Sequence, residues 1–351
     1  MSKPIRVGLI RCDTHGAYFA PLMTQHDPTL FDQPVPMDQP DDIHYTWMAG
    51  GNHYYFYTAY PDPRQMTVPF IEGFDLVKLY DEHRTAAETL ARVCMGRPQV
   101  CDDFEQVSND VDLVFIADCN YDGSDHGKLA TPGIEKGVPT FIDKPLASDT
   151  AGVKTILDLA RRHRTLVYSQ SIIGVLPCIE MFRNRLPEVG NLHFASIEGG
   201  GGAMAGHIHS VIFAITTFGP GVQRVWSMGD NPRDIMRLDW GDTPGRPEHG
   251  LTITSNVGYT RHGGFFAEVF GPNGRIVSPT ISDFEYPFGA AQILRNIRQM
   301  LQTRTCPPDL AMMVEAVAIT TAAAKAHNTG QAVEVERVST DDYFKAVSTG
   351  D

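Results

Sequence analysis

Through the first half of the chain, short runs of apolar, often β-branched residues alternate with helical stretches. IRVGLI (Ile5 to Ile10), DLVKLYD (Asp75 to Asp81), DLVFIAD (Asp112 to Asp118), PTFID (Pro139 to Asp143) and TLVYSQ (Thr165 to Gln170) read as strands. Their near-continuous apolar character predicts burial on both faces, as a parallel sheet requires. TAAETLARVC (Thr85 to Cys94) and TAGVKTILDLARRH (Thr150 to His163) read as helices between them. The alternation predicts a doubly wound α/β domain over residues 1–170. One segment breaks the rhythm. Residues of about 24–74 form a long insertion rich in Pro, Asp and aromatics, and HYYFYTAYPDPR (His53 to Arg64) carries five aromatic residues. A loop of that size inside a domain is expected to be functional or separately folded.

From Ser171 the pattern changes to alternating runs broken by Gly, Pro and Asn: NLHFASIEGG, VQRVWSM, LTITSNVGY and GFFAEVFGPNGRIV. PNG (Pro272 to Gly274) is a hairpin signal. Helices are expected around Ala290 to Gln302 and from Asp309 to His327, with QAVEVERV as a closing strand. Residues 171–351 are therefore expected to form an α+β domain with an open-faced antiparallel sheet.

Composition narrows the partners. The 351 residues are 42% hydrophobic and 20% charged, a globular balance that fits two domains. A formal net charge of −13 argues against a nucleic-acid partner. No apolar run is long enough to span a bilayer, and MSKPIRVGLI enters a strand without a cleavage site. The six cysteines show no CxxC pair, and the histidines have no metal-ligand spacing, so a cytoplasmic protein without a metal site is expected.

The candidate chemistry begins at the first turn. In VGLIRCDTHGAYFA the three glycine positions of a dinucleotide-binding turn read Arg11, Asp13 and Gly16. Gly16 can keep the third glycine's role in close helix–strand packing. Asp13 places a carboxylate where a diphosphate would lie, unless it caps the helix, whose amides would then still face an anion. A strand–helix turn without a ligand is the competing reading of Arg11, Cys12, Asp13, Thr14, His15 and Gly16. Asp81, at the end of its strand, suits the hydroxyls of an adenosine ribose and hence NAD, or else a helix N-cap. Arg84 nearby leaves NADP open. Lys144 precedes Pro145 at the carboxyl end of a buried strand, where open sheets bind ligands and an ammonium can polarise a substrate oxygen.

Asp143, Lys144 and Pro145 match the D-K-P signature of the Gfo/Idh/MocA family of NAD(P)-dependent oxidoreductases, which the chain resembles. Asn120 and His126 match that family's T-P-N-x-x-H segment, with three additional residues between them, and PPDLAMMVEAVAITTAAAKAHNTGQAVEV resembles its last helix and strand. The resemblance implies a Rossmann domain holding NAD along Arg11 to Gly16, Asp81, Asn120, His126 and Asp143 to Pro145. It also implies a catalytic pair on the substrate. Lys144 would orient the oxygen, and His209, in GGGGAMAGHIHSVIFAITTFG, would exchange the proton. The acids that normally flank that histidine are replaced by Ala205 and Ile212, leaving His207 as a possible helper. The expected activity is oxidation of a hydroxyl, or reduction of a ketone, on a small sugar or polyol, in a homo-oligomer (dimer or tetramer). A cofactor-cycling sugar lyase or hydrolase is the first alternative. A non-catalytic sensor is the second, favoured by the lost glycines and acids and opposed by Lys144 and His209. His44, His53 and the insertion aromatics would line a sugar cleft or simply bury the loop. Ser169, Gln170 and Ser171 end a strand beside the expected crevice.

Overall fold

Two sheets organise the chain, and the first fixes where a ligand can lie. The structure, a computed structural model, describes residues 3–35, 42–50, 56–57, 65–119, 121–201, 203–230, 233–257 and 264–348. In the first sheet, β1 (Ile5–Ile10), β2 (Phe74–Tyr80), β3 (Gln99–Val100), β4 (Leu113–Ile116), β5 (Thr140–Ile142) and β6 (Val167–Tyr168) lie in the order β3-β2-β1-β4-β5-β6. Every pairing is parallel. This is the doubly wound order whose ligand crevice opens where the chain reverses direction across the sheet, between β1 and β4. Ile10 pairs with both Tyr80 and Ile116, so Arg11, Asp81 and Ala117 emerge level with one another at that crevice.

The helices follow from ordinary capping and packing. In α1 (Thr14–Met23), Asp13 is the N-cap and its carboxylate accepts from Gly16 N. Then come α2 (Arg84–Val93), α3 (His126–Glu135) and α4 (Thr150–His163). The last of these keeps its expected bounds, opened by the Asp149 cap onto Gly152 N and closed at Arg164 in the left-handed region. Arg11 itself takes a φ of 68°, so the chain still makes the sharp turn that the first glycine would make, now with a side chain attached.

The second sheet comprises β7 (Phe194–Gly201), β8 (Arg224–Asp230), β9 (Arg233–Asp239), β10 (Leu251–Val257), β11 (Phe266–Gly271), β12 (Gly274–Val277) and β13 (Val333–Glu334), in the order β12-β11-β7-β10-β9-β8-β13. It is mixed rather than wholly antiparallel, because β7 and β10 run parallel in its centre. Its helices are α5 (Ala203–Phe218), α6 (Tyr286–Thr303) and α7 (Leu310–Thr329), with α5 and α7 packed on the sheet. The expected hairpin forms across Pro272–Asn273, but the positive φ falls on Gly274. The last helix, α8 (Asp341–Ser348), returns to the first domain. There the Tyr343 hydroxyl accepts from Val167 N at 2.6 Å and donates to Val167 O at 2.8 Å.

Gly16 is needed for its lack of a side chain. A Cβ there would lie 2.2 Å from the Arg11 carbonyl oxygen, which is backbone and cannot swing away. Gly16→Ala is therefore expected to cost about 1–3 kcal/mol through forced backbone displacement. Gly127→Ala, where the nearest atom is the Ile156 side chain at 3.9 Å, should cost nothing comparable. Urea midpoints of the two variants test this, and equal midpoints would remove the close-packing role from Gly16.

Candidate active site

Cys12 N, Gly16 N and the Asp13 carboxylate at the first turn are already engaged within the chain. Cys12 N donates to Asp81 Oδ2 at 2.6 Å. Asp13 is fully buried, and its two carboxylate oxygens accept from Gly16 N at 2.8 Å and from Cys119 N at 2.7 Å. One carboxylate thus joins the first turn of α1 to the loop after β4, across the two sides of the crevice. Burial pushes its carboxyl up, against the lowering effect of His15 and the two amides. Arg11 is also buried. It pairs with Asp125, lies 3.9 Å from Asp118 and stacks over the Tyr121 ring at 4.2 Å.

The insertion supplies the cover. Its 3-10 segment Ile43–Ala49 lies along the carboxyl edge of the sheet. The Tyr45 hydroxyl donates to Asp81 Oδ1 at 2.7 Å, and His83 N shares that oxygen at 2.7 Å. Trp47 Nε1 donates to Cys12 O at 2.8 Å, and the Thr46 and Thr14 hydroxyls meet at 3.0 Å. His44 Nδ1 lies 2.6 Å from Cys119 O while its ring stacks on Tyr121 at 3.7 Å. Tyr45 and Trp47 are buried, and Trp47 packs edge-on against Phe31. Tyr45 and Trp47 thus sit beside Asp81 and Cys12, whereas Phe56 packs on Tyr18 and Tyr57 on His26, and His53 lies outside the described residues.

The other end of the crevice gathers the proposed catalytic groups. Lys144 is 1% exposed and donates from Nζ to Asp118 O at 3.1 Å. The Lys144–Pro145 peptide is cis. Asp143 Oδ1 accepts from Lys144 N at 2.8 Å, and its Oδ2 lies 2.5 Å from His15 Nδ1. His126 is fully buried, with Nδ1 2.8 Å from Pro145 O and Nε2 2.8 Å from Asp118 Oδ2. Burial would raise the Asp118 carboxyl, but His126, Lys144 and Arg11 outweigh it and hold it low. His209, on α5, is fixed by Ser171 Oγ, 2.6 Å from its Nδ1. Burial drives its pKa well below the ordinary value, and the charges of Lys144 and His15 add to that. His207 instead faces Asp234 at 3.3 Å, and Ile212 is core.

Lys144, Asp143, Pro145, His126 and His15 therefore share one cluster, whose Lys144 and His15 charges bear on His209. Arg11, Cys12, Asp13, Thr14, Gly16 and Asp81 form the neighbouring one, and Asn120 lies outside the described residues. Tyr45 and Trp47 fall among the insertion aromatics expected to line a sugar cleft or bury the loop, whereas Tyr121 was not anticipated at the crevice. The signal for the first two was the density of aromatics in an insertion between β1 and β2, which must pass the crevice mouth.

The strand order and the polar crevice define a dinucleotide-fold domain joined to a mixed-sheet domain. Residues 50–171 match the Gfo/Idh/MocA family model, described as "Oxidoreductase family, NAD-binding Rossmann fold". The matched span begins after Arg11 to Gly16. No curated protein matches the chain. Among solved structures, a probable dehydrogenase from Thermotoga maritima superposes with a TM-score of 0.68 at 14% identity, covering 94% of this chain and 99% of that one. A myo-inositol dehydrogenase from Corynebacterium glutamicum gives 0.67 at 16%, covering 95% and 100%. A scyllo-inositol dehydrogenase from Lactobacillus casei with bound NAD(H) and scyllo-inositol gives 0.66 at 12%, covering 95% and 99%. At these identities the likeness is one of fold.

NAD is the cofactor of this family, but in this conformation the adenosine half of the crevice does not accommodate it. The Asp81 oxygens, Cys12 N and Gly16 N all have partners within the chain, and Tyr45 and Trp47 fill the adjoining space.

Asp81 carries a measurable consequence. Burial pushes its carboxyl from 3.8 up to about 6, against the lowering hydrogen bonds from Tyr45, His83 and Cys12. The folded chain then holds a proton that the unfolded chain has released between those values. The associated stability is fully present below about pH 4 and is lost as pH rises through about 6. A shift of this size corresponds to roughly 2–3 kcal/mol. Asp81→Asn, neutral throughout, should lack that slope. Urea midpoints of both chains from pH 4 to 7 check it, and parallel curves would show that Asp81 titrates normally.

Proposed function

We propose that the protein is an NAD-type oxidoreductase acting on a hydroxyl or ketone of a small polyol or sugar derivative, with Lys144 and His209 serving the substrate oxygen. The observation that carries this reading is the buried Asp143–Lys144–Pro145 turn after β5, with the neighbouring strand β6 leading to Ser171, which orients a largely buried His209. The Lys144 charge adds to burial in lowering the His209 pKa. Oxidation of an alcohol requires that its oxygen be held and its proton removed. Lys144 has three N–H donors and uses one on Asp118 O, so it can donate to a substrate oxygen and stabilise developing negative charge. His209 is kept neutral by burial and by the Lys144 and His15 charges, as a proton acceptor must be. With Nδ1 engaged by Ser171, Nε2 is the nitrogen that exchanges the proton. Asp143 positions Lys144 through its main-chain N–H and holds His15. The two-electron exchange belongs to the cofactor.

The polyol class is supported by neighbours of this fold described as myo-inositol and scyllo-inositol dehydrogenases. The filled adenosine crevice favours a second reading, a non-catalytic member of the family. Titration with NAD and a turnover assay over a polyol panel beginning with myo- and scyllo-inositol separates the two. In the enzymatic case Lys144→Ala should cut turnover about 10²–10⁴-fold while leaving NAD affinity near that of the wild type. Unchanged turnover in that variant would remove Lys144 from the mechanism. Absence of both NAD binding and turnover in the wild type would favour the non-catalytic reading.

A further inference from the structure

We propose that Ile43–Ala49 is an internal occupant of the cofactor crevice, which a dinucleotide must displace to bind; this deepens the oxidoreductase reading and rests on it. The placement is chemical as well as spatial. Asp81, the strand-end acid of a dinucleotide fold, receives the Tyr45 hydroxyl, just where a ribose hydroxyl would donate. Trp47 Nε1 ties the segment to the main chain of the binding turn at Cys12 O. Thr46 meets Thr14, the first residue of α1, and His44 reaches Cys119 O on the far side of the crevice. The segment therefore spans the crevice from β2 through β1 to β4.

Its own construction suits an element that docks as a unit. It belongs to neither sheet and is a 3-10 stretch with a kink at Tyr45, at φ −120° and ψ 33°. An Asp42 cap on His44 N opens it, and Gly50 in the left-handed region closes it. Its anchors are polar contacts to crevice groups plus one large apolar residue, Trp47, 1% exposed. Undocking exposes that indole, so the closed form is favoured and apparent cofactor affinity falls in proportion to the open fraction.

Tyr45→Phe removes the competing hydroxyl while keeping the ring. A hydrogen bond to a carboxylate contributes enough that ADP-ribose should bind the variant about tenfold or more tightly than wild type. Nicotinamide mononucleotide, which lacks the adenosine half, should bind both chains alike. Trp47→Phe, which loses the Cys12 O contact, should shift ADP-ribose in the same direction. In the unmodified chain, adding ADP-ribose should accelerate hydrogen exchange in a peptide covering residues 42–50, where Tyr45 N and Gly50 N are otherwise bonded to Asp42 O and Trp47 O. Equal ADP-ribose affinity in all three chains, with exchange at 42–50 unchanged, would overturn the proposal and leave the oxidoreductase reading standing. Failure of ADP-ribose and NAD to bind any of the three would overturn it too, by showing that more than this segment closes the crevice. Only that second outcome would also remove the oxidoreductase reading.

Discussion

The carboxylate of Asp13 holds the two sides of the first sheet together at the point where a doubly wound fold would otherwise open. One oxygen caps α1 through Gly16 N, and the other reaches Cys119 N beyond β4. A bound diphosphate would do similar work, presenting negative oxygens to the helix's first amides. Here that anion is covalently part of the turn. An anion buried without donors would be strongly unfavourable, and two main-chain N–H groups are what allow it to sit in the interior. The same bonds fix the approach of the β1 and β4 loops, and thereby the width of the crevice in which everything else is arranged.

Around that bridge the charges are arranged so that each has a partner. Arg11 faces Asp125 and Asp118, and Asp118 also faces His126, while Lys144 bonds the Asp118 main chain. Asp143 holds both the Lys144 main chain and His15. Removing one partner of a buried ion pair is the more damaging way to break such a network, and Asp118 and Arg11 are each protected by having more than one. This explains how Lys144 can be held with almost no exposed surface. Its position is set by the loop after β4 as well as by its own strand.

Much of the scaffold was legible because its cause is local. The apolar runs of β1 and β4 are largely buried strands, and the run TAGVKTILDLARRH marks α4 with its bounds. The Asp143–Lys144–Pro145 turn was legible for the same reason, as a short motif at a strand end. Long-range pairing was not. Nothing in LTITSNV distinguishes a strand running parallel to β7 from one running against it, because alternation records which face is buried and not direction. β9, whose run RDIMRLD carries four charges among seven residues, gives little apolar signal and is held by pairing with β8 and β10. The capping role of Asp13 was open in the sequence as one of two readings, and its second bond to Cys119 N, 106 positions away, was beyond any local pattern.

The departures at the turn and the position of the insertion make sense together. A carboxylate at the second glycine position and a side chain on Arg11 both work against a diphosphate resting on the turn. Alone, they would leave an open crevice lined with buried acids and unfilled acceptors. The 3-10 segment supplies the missing donors: a phenol for Asp81, an indole for Cys12 O and a histidine beside Cys119 O. The turn is thus partnered by a segment of the same chain, while Lys144 and His209 are held by other groups, Asp118 O and Ser171 Oγ. The family match follows the same division, starting at residue 50, after the altered turn, and running through the lysine. The covering segment makes its bonds to Asp81 and to Cys12 O at the ends of β2 and β1, and reaches the loop after β4 through His44 and Cys119 O.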